Sequence, residues 1–271
     1  MKTVGFRGRG AAVSLACAMV LALTSQAHAQ PGAEDGWRPL FDGRTLNGWT
    51  AKINGHEVGD NYRDTFSVVD GAIRVSYGGY QEFGQRFGHL FYNTPFKAYR
   101  LKLSYRLLDP SLPDAPDWAR SNSGVMFHSQ SPQSIPKDQL WPVSLEFQFV
   151  GRQTDAPRPT GSVCTPGTTI AVGGVRTQQH CLNSSGPTIP NGTWTEAELE
   201  VDPNGEVTHR INGQVVHRYG GLQLDPADPT TAKLIAARGG VLTLDGGYSA
   251  LQSEGHPVEF KDIRIREIPA R

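Results

Sequence analysis

Leu145-Glu146-Phe147-Gln148-Phe149 sets a carboxylate and an amide at alternate positions among bulky apolar residues. In a strand, residues two apart share a face, so Glu146 and Gln148 lie on one side and their apolar neighbours on the other. A carboxylate held there can take or give a proton, and an amide beside it can both donate and accept hydrogen bonds. The competing reading is an ordinary solvated face. Glu254 stands in Gln252-Ser253-Glu254-Gly255, a turn before the last strand, with Gln252 close by. His128 ends the segment that starts at Asn122 and could be a base, a metal ligand or a substrate contact. Each of these also has a structural reading: Glu254 as a solvated turn residue, His128 as a hydrogen-bonded strand histidine, Asn122 as a turn former. Trp118 and Trp141 fall in loops near the same strands and could stack on a ring.

Such side chains need a frame, and the frame reads as β. Tyr99 to Leu107 alternates apolar and polar residues over a long run. Phe66 to Val69 and Ala72 to Val75 flank Asp70-Gly71, and Thr208 to Ile211 and Gln214 to Val216 flank Asn212-Gly213; both are hairpin signals. Val125 and Phe127 follow a Ser-Asn-Ser-Gly turn. Val258 to Ile268 makes a last strand with an irregular register between Phe260 and Ile263. With 31 Gly and 19 Pro, this pattern predicts a single all-β sandwich domain with long loops. Asp109 to Arg120 and Thr154 to Pro190 read as those loops, and long loops in compact domains are often functional.

The first residues read as a leader. Lys2, Arg7 and Arg9 precede an apolar run from Ala11 to Leu23, and Ala27-His28-Ala29 is a small-x-small site. Residues 1–29 are therefore expected to be a secretory signal peptide, with residues 30–271 as the exported domain. No later stretch approaches the ~20 apolar residues of a membrane span. The chain has 26 basic and 26 acidic residues, and the leader removes three basic ones. That balance leaves no nucleic-acid footprint. Of three cysteines, Cys17 falls in the leader; Cys164 and Cys181 remain as an expected disulfide.

Five segments in order carry a resemblance: Leu40-Phe41-Asp42-Gly43-Arg44-Thr45-Leu46-Asn47-Gly48-Trp49; Asn122-Ser123-Gly124-Val125-Met126-Phe127; Leu145-Glu146-Phe147-Gln148; Gly192-Thr193-Trp194 with Ile211-Asn212-Gly213; and Leu251 to Ile263. Together they resemble the 3-keto-disaccharide hydrolase domain family over roughly Trp37 to Ile268. The resemblance implies a concanavalin-like jelly-roll β-sandwich with a carbohydrate on one sheet face, in a bacterial protein of the periplasm or exterior. It implies cleavage of oxidised glycosides, 3-keto-glycosides or 3-keto-disaccharides, by elimination across C1–C2 or by net hydrolysis. Glu146, which matches the family motif, is then the first candidate base, with His128 and Glu254 as the others. Gln148, Asn122, Gln252 and Trp141 become candidate sugar contacts. His128 departs from the family, where Arg is common. A divalent ion held by His128, Glu146 and Glu254 could polarise the ketone, although no HxH, HxxxH or EF-hand spacing is present. The alternative is a non-catalytic, lectin-like carbohydrate-binding module on the same sandwich.

Overall fold

The computed structural model describes residues 1–5 and 36–269. The expected leader, from residue 6 through its cleavage site, lies outside the described residues. Asp35–Arg271 forms one compact unit.

In chain order the strands are β1 (Arg38–Pro39), β2 (Trp49–Ile53), β3 (Phe66–Val69), β4 (Ala72–Val75), β5 (Gly88–Tyr92), β6 (Tyr99–Leu107), β7 (Asn122–Ser129), β8 (Leu145–Val150) and β9 (Ser162–Cys164). There follow β10 (Thr168–Val172), β11 (Val175–Thr177), β12 (Cys181–Leu182), β13 (Thr195–Val201), β14 (Val207–Ile211), β15 (Gln214–Leu224), β16 (Tyr248–Ser253) and β17 (Val258–Glu267). They build two antiparallel sheets. One runs β11-β10-β15-β14-β13-β6-β17-β4-β3, with β1 on β17; the other runs β12-β9-β8-β7-β16-β5-β2. This is the all-β sandwich that the strand pattern predicts.

The hairpins form where local chemistry demands them. Asp70 and Gly71 take φ of 50° and 76°, and Asn212 and Gly213 take 49° and 77°. Both central residues of each turn are thus left-handed, matching the twist of the flanking strands. β6 buries every second residue, from Tyr99 to Leu107. Leu145, Phe147 and Phe149 meet this face from the other sheet, and the Tyr105 and Phe149 rings stack at 4.1 Å.

Three details differ from the sequence reading. Asn122, Ser123 and Gly124 are strand, not turn; the turn residue is Ser121, with φ of 46°. Thr154 to Pro190 is not wholly irregular, because it supplies β9 to β12. A short helix, α1 (Ala232–Ala237), follows β15.

The outward face of the larger sheet carries ion pairs. Glu259 is 1% exposed and accepts from Arg74 Nε at 2.7 Å and Arg106 Nε at 2.6 Å. Glu198, also buried, pairs with Arg100, Arg210 and Lys102. Buried carboxylates there are matched by cations, as burial of charge requires.

Candidate active site

The outer face of the smaller sheet has two halves. One is apolar: Phe91, Met126 and Ala250 pack under Ile135 from the segment after β7. The other is a cleft of about 590 Å³ lined by Asn122, Glu146, Gln148, Arg158, Trp118, Trp141 and Glu254, among others. Register explains the grouping. Gly124 lies opposite Gln148, Met126 opposite Glu146, and Ser162 and Cys164 opposite Gln148 and Glu146. Glu146 is 6% exposed, so its side of the strand is not a solvated face.

Gly124 makes room for the carboxylate. A Cβ there would lie 2.8 Å from Glu146 Oε1 and 2.9 Å from Phe147 O. Glu254 arrives from the turn after β16. Tyr77 fixes that turn, its hydroxyl hydrogen-bonded to Ser253 Oγ and accepting from Gly255 N–H, both at 2.7 Å. Gly255 has φ of 89°, which favours glycine.

Gln252 lies beside both carboxyls. Its Nε2 donates to Glu254 Oε1 at 2.9 Å, and the same oxygen accepts from Trp141 Nε1 at 3.0 Å. Burial, and then the charge of Glu254, hold Glu146 well above the usual carboxylate range, against the hydrogen bond of Gln252. Burial pushes Glu254 up to about 7, opposed by the Trp141 hydrogen bond and then by the Arg158 charge. The two titrate as a pair. Asn122 Oδ1, Glu146 Oε1, Gln252 Oε1 and Glu254 Oε2 are buried and make no hydrogen bond among the described residues. Such a concentration of unsatisfied polar atoms makes this the candidate ligand position, because buried groups of this kind are normally paired.

Aromatic rings wall one side. Phe87 stacks on Trp118 at 5.7 Å and meets Trp141 at 4.6 Å. Trp118 is 50% exposed, which suits it to cover a sugar ring. Sequence reasoning missed Arg158. Its Nη1 donates to the carbonyls of Arg120, Ser121 and Gly151, and its Nη2 to that of Trp118. The disulfide forms as expected: Cys164 and Cys181 are bonded, 17 positions apart, and both line the cleft.

His128 does not join the site. Between Tyr248 and Ala250 the register against β7 shifts, and His128 takes φ of 45° at this bulge. A bulge re-aims a side chain. The ring turns to Lys97 O, at 3.0 Å from Nε2, and to Tyr99 of the other sheet. It lines a separate cleft with Phe96, Leu244 and Asp245. The three donors His128, Glu146 and Glu254 therefore do not converge, and among the described residues no group of three or more His, Cys, Asp or Glu is placed to hold a metal ion.

Residues 36–266 match the model of the 3-keto-alpha-glucoside-1,2-lyase-like domain. The chain belongs to this family. No curated protein matches it. Among solved structures it is similar to two candidate glycosyl hydrolases from Parabacteroides distasonis. One is 18% identical with a TM-score of 0.51, covering 86% of this chain and 94% of that one. The other is 17% identical with a TM-score of 0.50, covering 86% and 99%. A protein of unknown function with a galectin-like fold from Bacillus subtilis is 13% identical, with a TM-score of 0.52 over 87% and 96%. At these identities the likeness is one of fold. The family makes the chain a carbohydrate-active protein. Among the described residues no helix is long and apolar enough to cross a membrane.

Proposed function

We propose that the protein is an exported enzyme that cleaves 3-keto-glycosides by elimination across C1–C2, with hydration completing a net hydrolysis. One contrast carries this reading. The buried carboxylates Glu198 and Glu259 have cation partners within hydrogen-bond distance, whereas Glu254 accepts from an amide and an indole, and Glu146 and Glu254 each keep an orphan oxygen in the cleft. Perturbed, mutually coupled carboxyls in a cleft are characteristic of acid–base sites. A binding module has no use for them.

A ketone at C3 acidifies the hydrogen on C2. The pair divides the work according to its surroundings. Glu254 has two donors on one oxygen and a nearby guanidinium, so it ionises first and takes the C2 proton. Electrons move to the C3 oxygen, giving an enolate. Gln148, which lines the cleft, would donate to that oxygen. As the enolate collapses, the C1–O bond breaks. Glu146, kept protonated by burial and its neighbour's charge, gives its proton to the leaving oxygen. The pair then holds its proton on the other partner. Water adds to C1 through ionised Glu146, and Glu254, whose carboxyl proton has by then exchanged with solvent, protonates C2. The assignment moves the role of base from Glu146, the first candidate by motif, to Glu254.

Export rests on the basic and apolar leader residues, and the Cys164–Cys181 bond suits an oxidising compartment, the periplasm or exterior of a bacterial cell. The test is incubation with a 3-keto-glucoside in deuterated water, with and without chelator, beside the unoxidised glucoside. Release of the aglycone with deuterium at C2, from the ketone alone, is expected. Equal cleavage of the unoxidised glucoside, or retention of the C2 hydrogen in the product, sinks the mechanism.

A further inference from the structure

The four orphan oxygens of the site do not share one space. Those of Asn122, Glu146 and Glu254 belong to residues that line the cleft. Gln252 is 0% exposed and stands behind them on β16. Its amide nitrogen faces the carboxyls: it donates to Glu254 Oε1 at 2.9 Å and also favours the ionised form of Glu146. The other end of the amide, Oε1, is buried and makes no hydrogen bond among the described residues. An amide carries two donors on its nitrogen and an acceptor on an oxygen of nearly the same size. Turned over, Gln252 would present its oxygen to both carboxyls. A donor on the Oε1 side decides between the two orientations.

Strand β5 supplies that donor. His89 lies directly opposite Gln252 in the register of β5 against β16. Opposed residues share a face, with Cβ atoms about 4.5–5.5 Å apart. His89 is 2% exposed, and its Nε2, like Gln252 Oε1, is buried with no hydrogen bond among the described residues. Neighbouring side chains thus carry a nitrogen that can hold a proton and an oxygen that accepts one. On the other side of His89, Lys52 lies opposite it from β2. The Lys52 ammonium is buried and donates to the carbonyls of Ile53 and His56 at 3.2 Å and of Lys137 at 3.1 Å. Burial, and then that charge, hold His89 down to about 3, so the ring is neutral and carries one N–H.

We infer that His89 is a positioning residue for the two carboxyls: its Nε2–H donates to one internal water, which donates to Gln252 Oε1 and so keeps the amide nitrogen on Glu254 and Glu146. The inference rests on the proposed 3-keto-glycoside reaction for its effect on turnover. A single water satisfies both orphan atoms, which is the usual place of buried water in a fold. His89 touches no substrate; it acts through Gln252.

The experiment compares wild type, His89→Leu and His89→Gln. Leucine removes the donor, and glutamine restores a polar group near the position of Nε2. Without the link the amide is free to turn, and ionised Glu254 loses a donor. In His89→Leu the acid limb of kcat/KM on a 3-keto-glucoside is expected to move up by about one pH unit, a tenfold change in proton affinity, with KM changed less than twofold. His89→Gln is expected to bring the limb back. The other groups that act on this titration, Lys52 beside His89 and Arg158 and Tyr77 near Glu254, are the same in all three proteins. A carboxyl titration by NMR of the protein labelled with carbon-13 at glutamate reads the same shift without turnover. If no 3-keto-glucoside is cleaved but the Glu254 titration rises in His89→Leu and returns in His89→Gln, the reaction reading fails and the positioning role stands. A crystal structure of the wild type is expected to show a water within hydrogen-bond distance of His89 Nε2 and Gln252 Oε1, and it decides the matter if His89→Leu does not fold. An unmoved titration in folded His89→Leu, equal titrations in the two variants, or a wild-type structure without that water overturns the assignment.

Discussion

The Trp141 indole donates to the same Glu254 oxygen that accepts from Gln252, at 3.0 and 2.9 Å. Both donors favour the ionised carboxyl against its burial. Trp141 is thus a wall of the cleft and, on the proposed assignment, a regulator of the base. In Trp141→Phe the ring contact with Phe87 is kept and the N–H is lost. A hydrogen bond to a charged group contributes about 1.5 kcal/mol or more, equivalent to roughly one pH unit. The acid limb of the kcat/KM profile on a 3-keto-glucoside should move up by about that amount. A limb that stays in place would separate Trp141 from proton transfer.

Glu254→Gln and Glu146→Gln should each lower turnover by about 10²–10⁴, the usual range for loss of a general acid or base. Their stability should change the other way. A raised carboxyl binds its proton more tightly in the folded chain, so stability is lost as pH climbs from the ordinary range near 4.5 through the folded value of about 7 for Glu254. Glutamine keeps the acceptor for Trp141 and Gln252 and removes that titration. The Tm of Glu254→Gln should match wild type at pH 4.5 and exceed it at pH 8 by a few degrees, given about 2–4 °C per kcal/mol for a chain of this size. A variant less stable at both pH values would mean the carboxylate is structural.

Gly124→Ala puts a methyl group against Glu146 Oε1 and the Phe147 carbonyl. The backbone carbonyl cannot yield, so the carboxylate or strand must. Overpacking of this kind costs about 1–3 kcal/mol. Activity should fall further than stability alone explains at a temperature where the variant is fully folded. Wild-type kinetics in folded Gly124→Ala would show that Glu146 has slack.

The Cys164–Cys181 bond closes 16 residues that carry Pro166 and His180, both of which line the cleft. Thiol labelling of the unfolded, unreduced domain should find neither cysteine free. A double Cys→Ser variant should lose about 3 kcal/mol by the loop-entropy estimate. Its KM for a 3-keto-disaccharide should rise, because β12 and this wall of the cleft keep only their backbone pairing to β9 and lose the covalent tie. Loss of stability with an unaltered KM would confine the bond to folding.

Much of this arrangement is written locally. The period of Tyr99–Leu107 and the left-handed pairs Asp70-Gly71 and Asn212-Gly213 specify strands and hairpins without reference to the rest of the chain. The Glu146/Gln148 face is legible for the same reason, since two-residue spacing alone puts both side chains on one side. That it is a cleft and not a solvated surface depends on remote segments: Trp141, the 254 turn and Arg158. Arg158 acts through carbonyls of Trp118, Arg120, Ser121 and Gly151, and carbonyls leave no mark in side-chain identity. His128 was misleading because its direction is set by a bulge, and a bulge depends on how β16 registers against β7.

Histidine burial sets the acid side of stability. Burial holds His89 and His209 down to about 3, and His128 and His256 down to about 4. Their ordinary value is near 6.5. A lowered histidine contributes stability that is present above the unfolded value and lost as pH falls toward the folded one. Between about pH 4.5 and 6.5 the unfolded chain takes up protons at these four histidines that the folded chain refuses, and His217, also lowered by burial, acts in the same direction. In the same window Glu146 and Glu254 hold at most two protons that the unfolded chain releases. Four outweigh two, so stability should rise with pH up to about 6.5, by about 1.4 kcal/mol per net proton per pH unit. Above that the histidines are neutral in both states, only the carboxyl pair remains, and stability should decline. Urea unfolding from pH 4.5 to 8.5 should therefore peak near pH 6.5. His89→Leu should reduce the acid-side slope by one proton, because His89 Nε2 is buried with no hydrogen bond among the described residues. A flat profile between pH 5 and 6.5, or a His89→Leu slope equal to wild type, would mean that these rings take up protons in the folded protein.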